Sequence, residues 1–212
     1  GGVAAADGKE AAVLDGARVV ASPDGTKVTT LTDGTQIVAL PDGTQVTKWP
    51  EKGQREKRAD GTEIIVRKDG TFIETRADGT EITTWVDGSR KEVRADGSRI
   101  ELKADGLRRE VRPDGSKTEF LPDGSKVDVR VDGSRATTLP DGTVVARSAD
   151  GVKTETYAIG TKVESRPDGT KITLWQDGTR LETRPDGLTI KSKPDGSKTI
   201  LNAGSSSKIK IQ

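Results

Sequence analysis

Residues 105–133 read DGLRREVRP DGSKTEFLP DGSKVDVRV DG, and each nine-residue unit begins with Asp-Gly. The dipeptide recurs along most of the chain at intervals of nine residues, or eighteen where one slot is altered. The altered slots are Glu51-Lys52, followed by Gly53, and Ile159-Gly160, which we interpret as bulges, hinges or sequence drift. Such regularity indicates a repeat protein whose units contact mainly their neighbours. The aspartates of the repeated step are Asp24, Asp33, Asp42, Asp60, Asp69, Asp78, Asp87, Asp96, Asp105, Asp114, Asp123, Asp132, Asp141, Asp150, Asp168, Asp177, Asp186 and Asp195.

Asp-Gly between alternating segments is typical of a tight β-hairpin. A two-residue type I′ turn needs positive φ at both central residues, which Asp tolerates and Gly favours. The rest of each unit is rich in Thr, Val and Ile, which fit a pleated strand. We therefore predict an all-β fold, an elongated single-layer antiparallel β-meander of nine-residue Asp-Gly hairpin repeats. The alternative is a β-solenoid with two repeats per coil, which would bury one face of each strand.

The composition excludes several classes of function. Only 30% of the 212 residues are hydrophobic, too few for a central core of two packed layers. The chain has no Cys and no His, so thiolate metal sites are excluded and the commonest general base is missing. The net charge of +1 favours neither nucleic acid nor an acidic substrate. A flat repeated surface also offers no pocket that could shift a catalytic pKa, so we expect no enzyme, no metal and no cofactor.

The two-residue turn would keep each face of the sheet constant along the chain. Numbering each unit from its Asp as 0, positions 2, 4, 6 and 8 would share one face and positions 3, 5 and 7 the other. The second face would carry an acidic row between an aromatic row and a basic row. From the aromatic row we predict a peptide-binding site of Trp49, Phe72, Trp85, Arg90, Tyr157 and Trp175. The basic row includes Arg94, Arg99, Arg112, Arg130 and Arg135.

The units 40–44 and 112–117, which read LPDGT and RPDGSK, resemble the Gly-rich repeat called the G-box. This is the C-terminal domain of the T-complex protein ten family, found in the centriole assembly protein CPAP. The resemblance extends from about Asp15 to Ala203. It implies a free-standing antiparallel sheet, binding of a Pro-rich segment of a STIL-like centriolar partner, sheet-to-sheet self-association and a cytoplasmic location at the centriole or cytoskeleton. This chain mostly has Arg or Leu where the family often has an aromatic before Pro-Asp-Gly.

Two interpretations of function follow. The first is a scaffold whose exposed sheet face docks a Pro-rich peptide and which self-associates edge to edge. The second is a purely structural spacer or polymerising repeat, in which the charges only stabilise a sheet with two wet faces. Binding of a polyanion through the basic row is the weaker idea, because the acidic row beside it neutralises the field. The predicted divisions are an irregular lead-in at 1–14, the repeat array at 15–203 and a tail at 204–212 that could add an edge strand.

Overall fold

The computed structural model describes residues 3–4, 10–14, 16–202 and 210–211. The chain divides into two compact units, Gly1–Ala104 and Asp105–Gln212. The strands of unit 1 are β1 (Val3–Ala4), β2 (Glu10–Leu14), β3 (Ala17–Ala21), β4 (Lys27–Thr30), β5 (Gln36–Ala39), β6 (Gln45–Trp49), β7 (Gly53–Lys57), β8 (Glu63–Arg67), β9 (Phe72–Thr75), β10 (Glu81–Thr84), β11 (Arg90–Val93) and β12 (Arg99–Leu102).

The strands of unit 2 follow the same nine-residue rhythm. They are β13 (Arg108–Val111), β14 (Lys117–Phe120), β15 (Lys126–Val129), β16 (Arg135–Thr138), β17 (Val144–Arg147), β18 (Lys153–Thr156), β19 (Lys162–Ser165), β20 (Lys171–Leu174), β21 (Arg180–Thr183), β22 (Leu188–Ser192), β23 (Lys198–Asn202) and β24 (Lys210–Ile211). The described residues contain no helix, so none could cross a membrane as an apolar helix.

Each unit is an open antiparallel meander, which confirms the predicted fold class. Consecutive strands pair antiparallel, from β1 with β2 to β11 with β12 in unit 1 and from β13 with β14 to β23 with β24 in unit 2. Within a unit the described strands contact only their neighbours in sequence, so the unit has a single layer. A solenoid would pair strands of successive coils in parallel, and the pairings observed within each unit contradict that alternative.

The hairpin turn differs from the two-residue type I′ turn that we predicted. In the β9–β10 hairpin the Gly79 N–H donates to the Arg76 carbonyl oxygen at 2.9 Å, and the Arg76 N–H donates to the Thr80 carbonyl oxygen at 2.8 Å. These bonds define a four-residue turn with Ala77 and Asp78 at its centre, followed by Gly79 with φ of +83°. A type I turn followed by a left-handed residue is the three-residue hairpin loop with a G1 bulge. The same bond pair recurs at the other Asp-Gly steps from Asp24 to Asp96 and from Asp114 to Asp195.

The aspartate of each turn is a hydrogen-bond acceptor. The Thr80 N–H donates to Asp78 Oδ1 at 2.8 Å, and the residue two positions after each described Asp of the repeat does the same, at 3.5 Å for Asp150. This side-chain bond imitates a backbone turn. Pro, where present, precedes Asp at the second turn position, which its fixed φ suits. The repeat therefore encodes one turn geometry.

The longer loop changes which side chains share a face, and our prediction of constant faces is wrong. Ile73 lies directly opposite Thr83, and Glu74 lies opposite Ile82, so position 4 of one strand faces position 5 of the next. Opposite residues share a face and successive residues alternate. Each face is therefore built from positions 3, 5 and 7 of one strand and positions 2, 4 and 6 of the next. The chemical pattern of a face repeats every eighteen residues.

Neither altered slot disturbs this register. At Ile159-Gly160 the Gly160 N–H donates to the Tyr157 carbonyl oxygen at 2.9 Å as in the other turns. At the other slot the loop is Pro50-Glu51-Lys52, and Trp49 pairs with Gly53 in the regular register. Both slots are thus three-residue loops, and the interpretation as hinges finds no support in the backbone pairing.

The core is thin and lies on both faces. Ile82, Val127 and Ile172 are the apolar side chains that are buried among the described residues. Buried Thr and Ser residues beside the turns, such as Thr35 and Thr71, supply much of the remaining burial. The stretch 1–14, which we predicted to be irregular, includes β1 and β2, because Ala11 to Val13 pair onto β3. In the predicted tail, β24 pairs with β23.

Candidate functional site: two chemically distinct faces

The two faces of each unit carry different side chains at position 7, the residue that begins each turn. The tryptophan face of unit 1 is the face that carries Trp49 and Trp85. The tryptophan face of unit 2 is the face that carries Tyr157 and Trp175. The opposite face of each unit is the arginine face. It carries Arg58, Arg76 and Arg94 in unit 1 and Arg112, Arg130, Arg166 and Arg184 in unit 2.

The tryptophan face of unit 2 has an apolar row along the turns that follow its even-numbered strands. The row consists of Leu121, Leu139, Tyr157 and Trp175, one from every second strand. The last three side chains are each between 36% and 38% exposed. Ser125, Thr143 and Thr161 lie between them on the intervening strands, and the first two are buried. Large side chains therefore alternate with small ones, which leaves shallow hollows between them.

The tyrosine in this row is held in place by an acid. The Tyr157 hydroxyl donates to Glu155 Oε2 at 2.7 Å, and Lys153 Nζ forms an ion pair with Glu155 Oε1 at 2.5 Å. These two partners lower the pKa of Glu155, and the bond to the carboxylate raises the pKa of Tyr157. The Tyr157 hydroxyl therefore already donates its hydrogen bond to Glu155, whereas the ring of Tyr157 remains available for apolar contact. A hollow beside Trp175 is lined by Ile159, Thr161 and Asp177.

The tryptophan face of unit 1 has two separate hollows. The one beside Trp49 has a volume of about 600 Å³ and is lined by Ile65 and Arg67. Gly53 lies directly between Trp49 and Arg67 in the sheet, where any side chain would fill the space. The hollow beside Trp85 has a volume of about 350 Å³. Its lining residues include Ser89, Lys91, Glu101, Leu102 and Lys103.

The structure brings together only part of the predicted peptide-binding set. Trp49 and Trp85 share the tryptophan face of unit 1, and Tyr157 and Trp175 share that of unit 2. Phe72 lies opposite Thr84, and so does Arg90, which puts both on the arginine face, away from the tryptophans. The physical reason is the three-residue loop, which shifts the register by one residue relative to our prediction. The aromatic row that we predicted from two-residue turns is therefore wrong, because its members lie on two different faces.

The predicted basic row divides in the same way. Arg94, Arg112 and Arg130 lie on the arginine faces of their units, whereas Arg99 and Arg135 lie on the tryptophan faces, opposite Val93 and Val129. The predicted peptide-binding site did not include Leu121 and Leu139. The eighteen-residue spacing of Leu121, Leu139, Tyr157 and Trp175 is the signal that would have selected them.

The arginine faces carry a ladder of ion pairs. The carboxylate at position 5 accepts from the guanidinium at position 7 of the same strand, as in Arg76 with Glu74 at 2.7 Å and Arg166 with Glu164 at 2.6 Å. Glu182 forms ion pairs with both Arg184 and Arg180. Hydrogen bonds from the two arginines lower the pKa of Glu182, and the bond from Arg184 has the largest effect. Buried Ile82 and Ile172 lie between such carboxylates on the intervening strands. The methylene chains of the arginines therefore cover an alternating row of carboxylate and aliphatic groups and shield it from solvent.

The described residues offer exposed surfaces on both faces of each unit. Within the described ranges no group of three or more Asp, Glu, His or Cys side chains could hold a metal ion. The described carboxylates with shifted pKa values are those of the turns and the ladder, together with Glu155 beside Tyr157. Asp33, Asp42 and Asp78, for example, have a lowered pKa because the N–H of the Thr two residues later donates to the carboxylate. These shifts have structural causes.

Comparison with known proteins agrees with this architecture. The family model of the T-complex protein 10 C-terminus matches residues 15–48. The TCP10 domain of Danio rerio CPAP, solved with a peptide of Danio rerio STIL, is 24% identical over 87% of this chain and 96% of that chain, with a TM-score of 0.60. The fold is that of the TCP10 domain. This confirms the resemblance to the G-box family that the sequence indicated.

Two further TCP10-domain structures support the same assignment of fold. A point mutant of the Danio rerio CPAP domain is 25% identical, with a TM-score of 0.58 over 88% of this chain and 99% of that chain. The SAS-4 TCP domain of Drosophila melanogaster, in complex with a proline-rich motif of Ana2, is 22% identical over 62% of this chain and 89% of that chain, with a TM-score of 0.58. No curated protein sequence matches the chain.

Proposed function

We propose that this protein is a scaffold domain of the centriolar type whose tryptophan face docks a Pro-rich segment of a STIL-like partner. The observation that carries the proposal is the apolar row of unit 2, Leu121, Leu139, Tyr157 and Trp175. Two solved structures with the same fold also support the proposal, because they contain peptides of STIL or of Ana2. The tryptophan face of unit 1, with Trp49 and Trp85, is a second place for the same ligand.

The spacing of the row suits a polyproline II helix. Side chains on every second strand are about 9.6 Å apart, because neighbouring strands lie ~4.8 Å apart. A polyproline II helix rises about 3.1 Å per residue and repeats every three residues, which is about 9.3 Å. A peptide running across the strands could therefore present one Pro ring per row residue. Four row residues would contact a segment of roughly ten peptide residues.

The chemistry of the row also suits proline. Pro-rich segments dock against aromatic side chains in shallow grooves, and their preformed helix loses little entropy on binding. Trp175 and Tyr157 supply rings with an exposed surface, and Thr161 between them leaves a hollow for a ring of the ligand. At the rim, the Gln176 amide could donate to the exposed carbonyls of the peptide, and the Asp177 carboxylate could accept from its N–H or hydroxyl groups.

The direct test is fluorescence anisotropy with a labelled STIL-type Pro-rich peptide. Trp175→Ala should weaken binding by about 30-fold, the effect of removing an aromatic side chain that dominates an interface. Phe120→Ala is the matched control, since Phe120 lies on the arginine face of unit 2, where Arg108 covers its ring at 5.5 Å. Equal losses for both variants, or no loss for Trp175→Ala and Tyr157→Ala, would refute the proposed site.

Centriolar and cytoplasmic localisation is part of the same proposal. A tagged chain should concentrate at centrioles, and Trp175→Ala should reduce that signal if a docked partner recruits it. Self-association through sheet edges stays a prediction, as does the alternative of a pure spacer or polymerising repeat. Sedimentation velocity over a concentration series tests both, because a polymerising sheet would increase in mass with concentration. A spacer would show neither peptide binding nor growth.

A further inference from the structure

The ladder of ion pairs on the arginine face is interrupted between β13 and β17. Five carboxylates at position 5 of odd-numbered strands, Glu56, Glu74, Glu92, Glu164 and Glu182, each pair with the arginine at position 7 of their own strand. In β17 position 5 is Ala146 and position 7 is Ser148. At β17 the ladder therefore lacks both its carboxylate and its arginine.

Two arginines beside this interruption form no direct ion pair with a carboxylate of the described residues. Glu110 is bound by Arg108 at 2.6 Å and Asp128 by Lys126 at 2.8 Å, so the neighbouring acids are already paired. The Arg112 guanidinium donates only to hydroxyls, at 3.2 Å to Ser116 and 3.1 Å to Thr118. Arg130 forms no ion pair with any residue that the structure describes. Both guanidinium groups are on the exposed surface.

The surface beside these arginines is a depression. Ala136 lies directly opposite Ala146, and Thr154 lies on the other side of Ala146. Because these side chains are small, they leave a concavity of about 860 Å³ that is also lined by Arg112, Arg130 and Ser134. We call the surface formed by Arg112, Arg130, Ser134, Ala136, Ala146 and Ser148 the arginine basin.

The hydroxyl beside these arginines faces a turn carboxylate. Ser134 is only 9% exposed, and its side chain lowers the pKa of Asp132, as does the charge of Arg130. The charge of Arg112 also acts on Asp114 and Asp128. The basin thus combines a depression with two guanidinium groups that interact with the nearby acids only at longer range. An anionic ligand could bind both guanidinium groups directly.

We propose that the arginine basin binds an acidic peptide segment, separate from the Pro-rich ligand of the opposite face. Arg112 and Arg130 follow alternate strands, so their backbones are about 9.6 Å apart. Carboxylates three residues apart in a polyproline II helix lie on the same side, about 9.3 Å apart, which matches this separation. The guanidinium groups bind carboxylates with paired hydrogen bonds. The ligand class is a peptide with Asp or Glu at every third position.

The same charges favour a peptide over nucleic acid. Asp114, Asp128 and Asp132 line the basin together with the arginines. A nucleic-acid strand carries a phosphate at every nucleotide and could not keep its charges away from these acids. A peptide can place uncharged residues beside them and its carboxylates over Arg112 and Arg130.

The test uses the full chain and a fluorescein-labelled peptide of three Glu-Ser-Pro triplets, with a Gln-Ser-Pro counterpart. The double variant Arg112→Ser/Arg130→Ser should weaken binding of the Glu peptide at least tenfold. The matched control is Arg166→Ser/Arg184→Ser, which removes the same charge from the same face at the same spacing, but from arginines paired with Glu164 and Glu182. It should change binding less than threefold.

A second variant restores the ladder instead of removing charge. Ala146→Glu places a carboxylate at the missing position 5 and should abolish binding without lowering the melting temperature, which excludes misfolding as the cause. Equal losses in the two arginine double variants would overturn the proposal, because binding would then depend only on net charge. Equal binding of the Gln peptide, or tighter binding of a labelled single-stranded oligonucleotide that depends on the same arginines, would also overturn it.

Discussion

A Cβ atom added to Gly53 would lie 2.0 Å from the carbonyl oxygen of Val66 on the adjacent strand. Backbone atoms of a paired strand cannot move away as a flexible side chain can. Gly53 also has φ of +108°, a conformation in which other residues are strained. The altered slot after Trp49 therefore depends on glycine more strictly than the regular turns do.

We expect Gly53→Ala to lower the free energy of unfolding by about 3 kcal/mol or more, through strain and lost strand pairing. Gly61→Ala is the matched control, because Gly61 also has positive φ but its added Cβ would lie at an ordinary 3.5 Å from Ala77. That change should cost about 1 kcal/mol. Urea denaturation measures the free energy of unfolding of both variants. Similar losses would contradict the prediction, because they would show that β8 can move away from the added Cβ atom.

The turn at Ile159 lacks the side-chain acceptor of the other turns. Its backbone bonds are regular and Ile159 is 74% exposed, so replacing it loses little burial. Ile159→Asn and Ile159→Asp should each raise the melting temperature by about 2 °C, since each supplies an acceptor for the Thr161 N–H. Ile159→Ser, with a weaker acceptor, should give a smaller gain. A loss of stability in the Asn variant would contradict the role assigned to the aspartates.

Stability should fall in acid because of these aspartates. Hydrogen bonds from backbone N–H groups, and in several turns from Ser or Thr hydroxyls, lower the pKa of Asp60, Asp114 and Asp168 below 3.8. A lowered folded-state pKa gives stability that is present above the unfolded-state pKa and is lost as pH falls through the folded-state value. The melting temperature should therefore be flat from about pH 7 to pH 5 and decline below about pH 4.

The control for this pH dependence is a neutral acceptor. Asp42→Asn retains an oxygen for the Thr44 N–H at every pH, so its melting temperature should decline less in acid than that of the unmodified chain. Differential scanning calorimetry from pH 7 to pH 2.5 makes the comparison. Parallel curves for the two proteins would mean that the turn carboxylates do not cause the acid sensitivity.

The register can be tested with disulfides, because the chain has no cysteine of its own. Thr137 lies directly opposite Val145, whereas two-residue turns would have put it opposite Ala146. Thr137→Cys/Val145→Cys should therefore oxidise to an intramolecular disulfide, while Thr137→Cys/Ala146→Cys should not, since its side chains point to opposite faces. Thiol titration after mild oxidation distinguishes the pairs, and the reverse result would refute the register.

The sequence was sufficient to predict the strands, their antiparallel order and the TCP10 resemblance, because Asp-Gly recurs every nine residues. It did not identify the turn, since Asp-Gly suits both the two-residue type I′ turn and the type I turn with a G1 bulge. That difference of one residue decided the faces, as Phe72 and Trp85 demonstrate. The arginine basin could not be predicted either, because the lack of a direct ion pair for Arg130 among the described residues depends on which acids other cations occupy.

The eighteen-residue pattern of each face restricts how such a chain can change in length. Inserting or deleting one repeat would invert every strand beyond it, so that Trp85 would emerge on the side opposite Trp49. Two repeats gained or lost together would leave the downstream surfaces as they were. Unequal recombination within an array of this kind is therefore compatible with function only in pairs of units, and the heritable module is the double repeat.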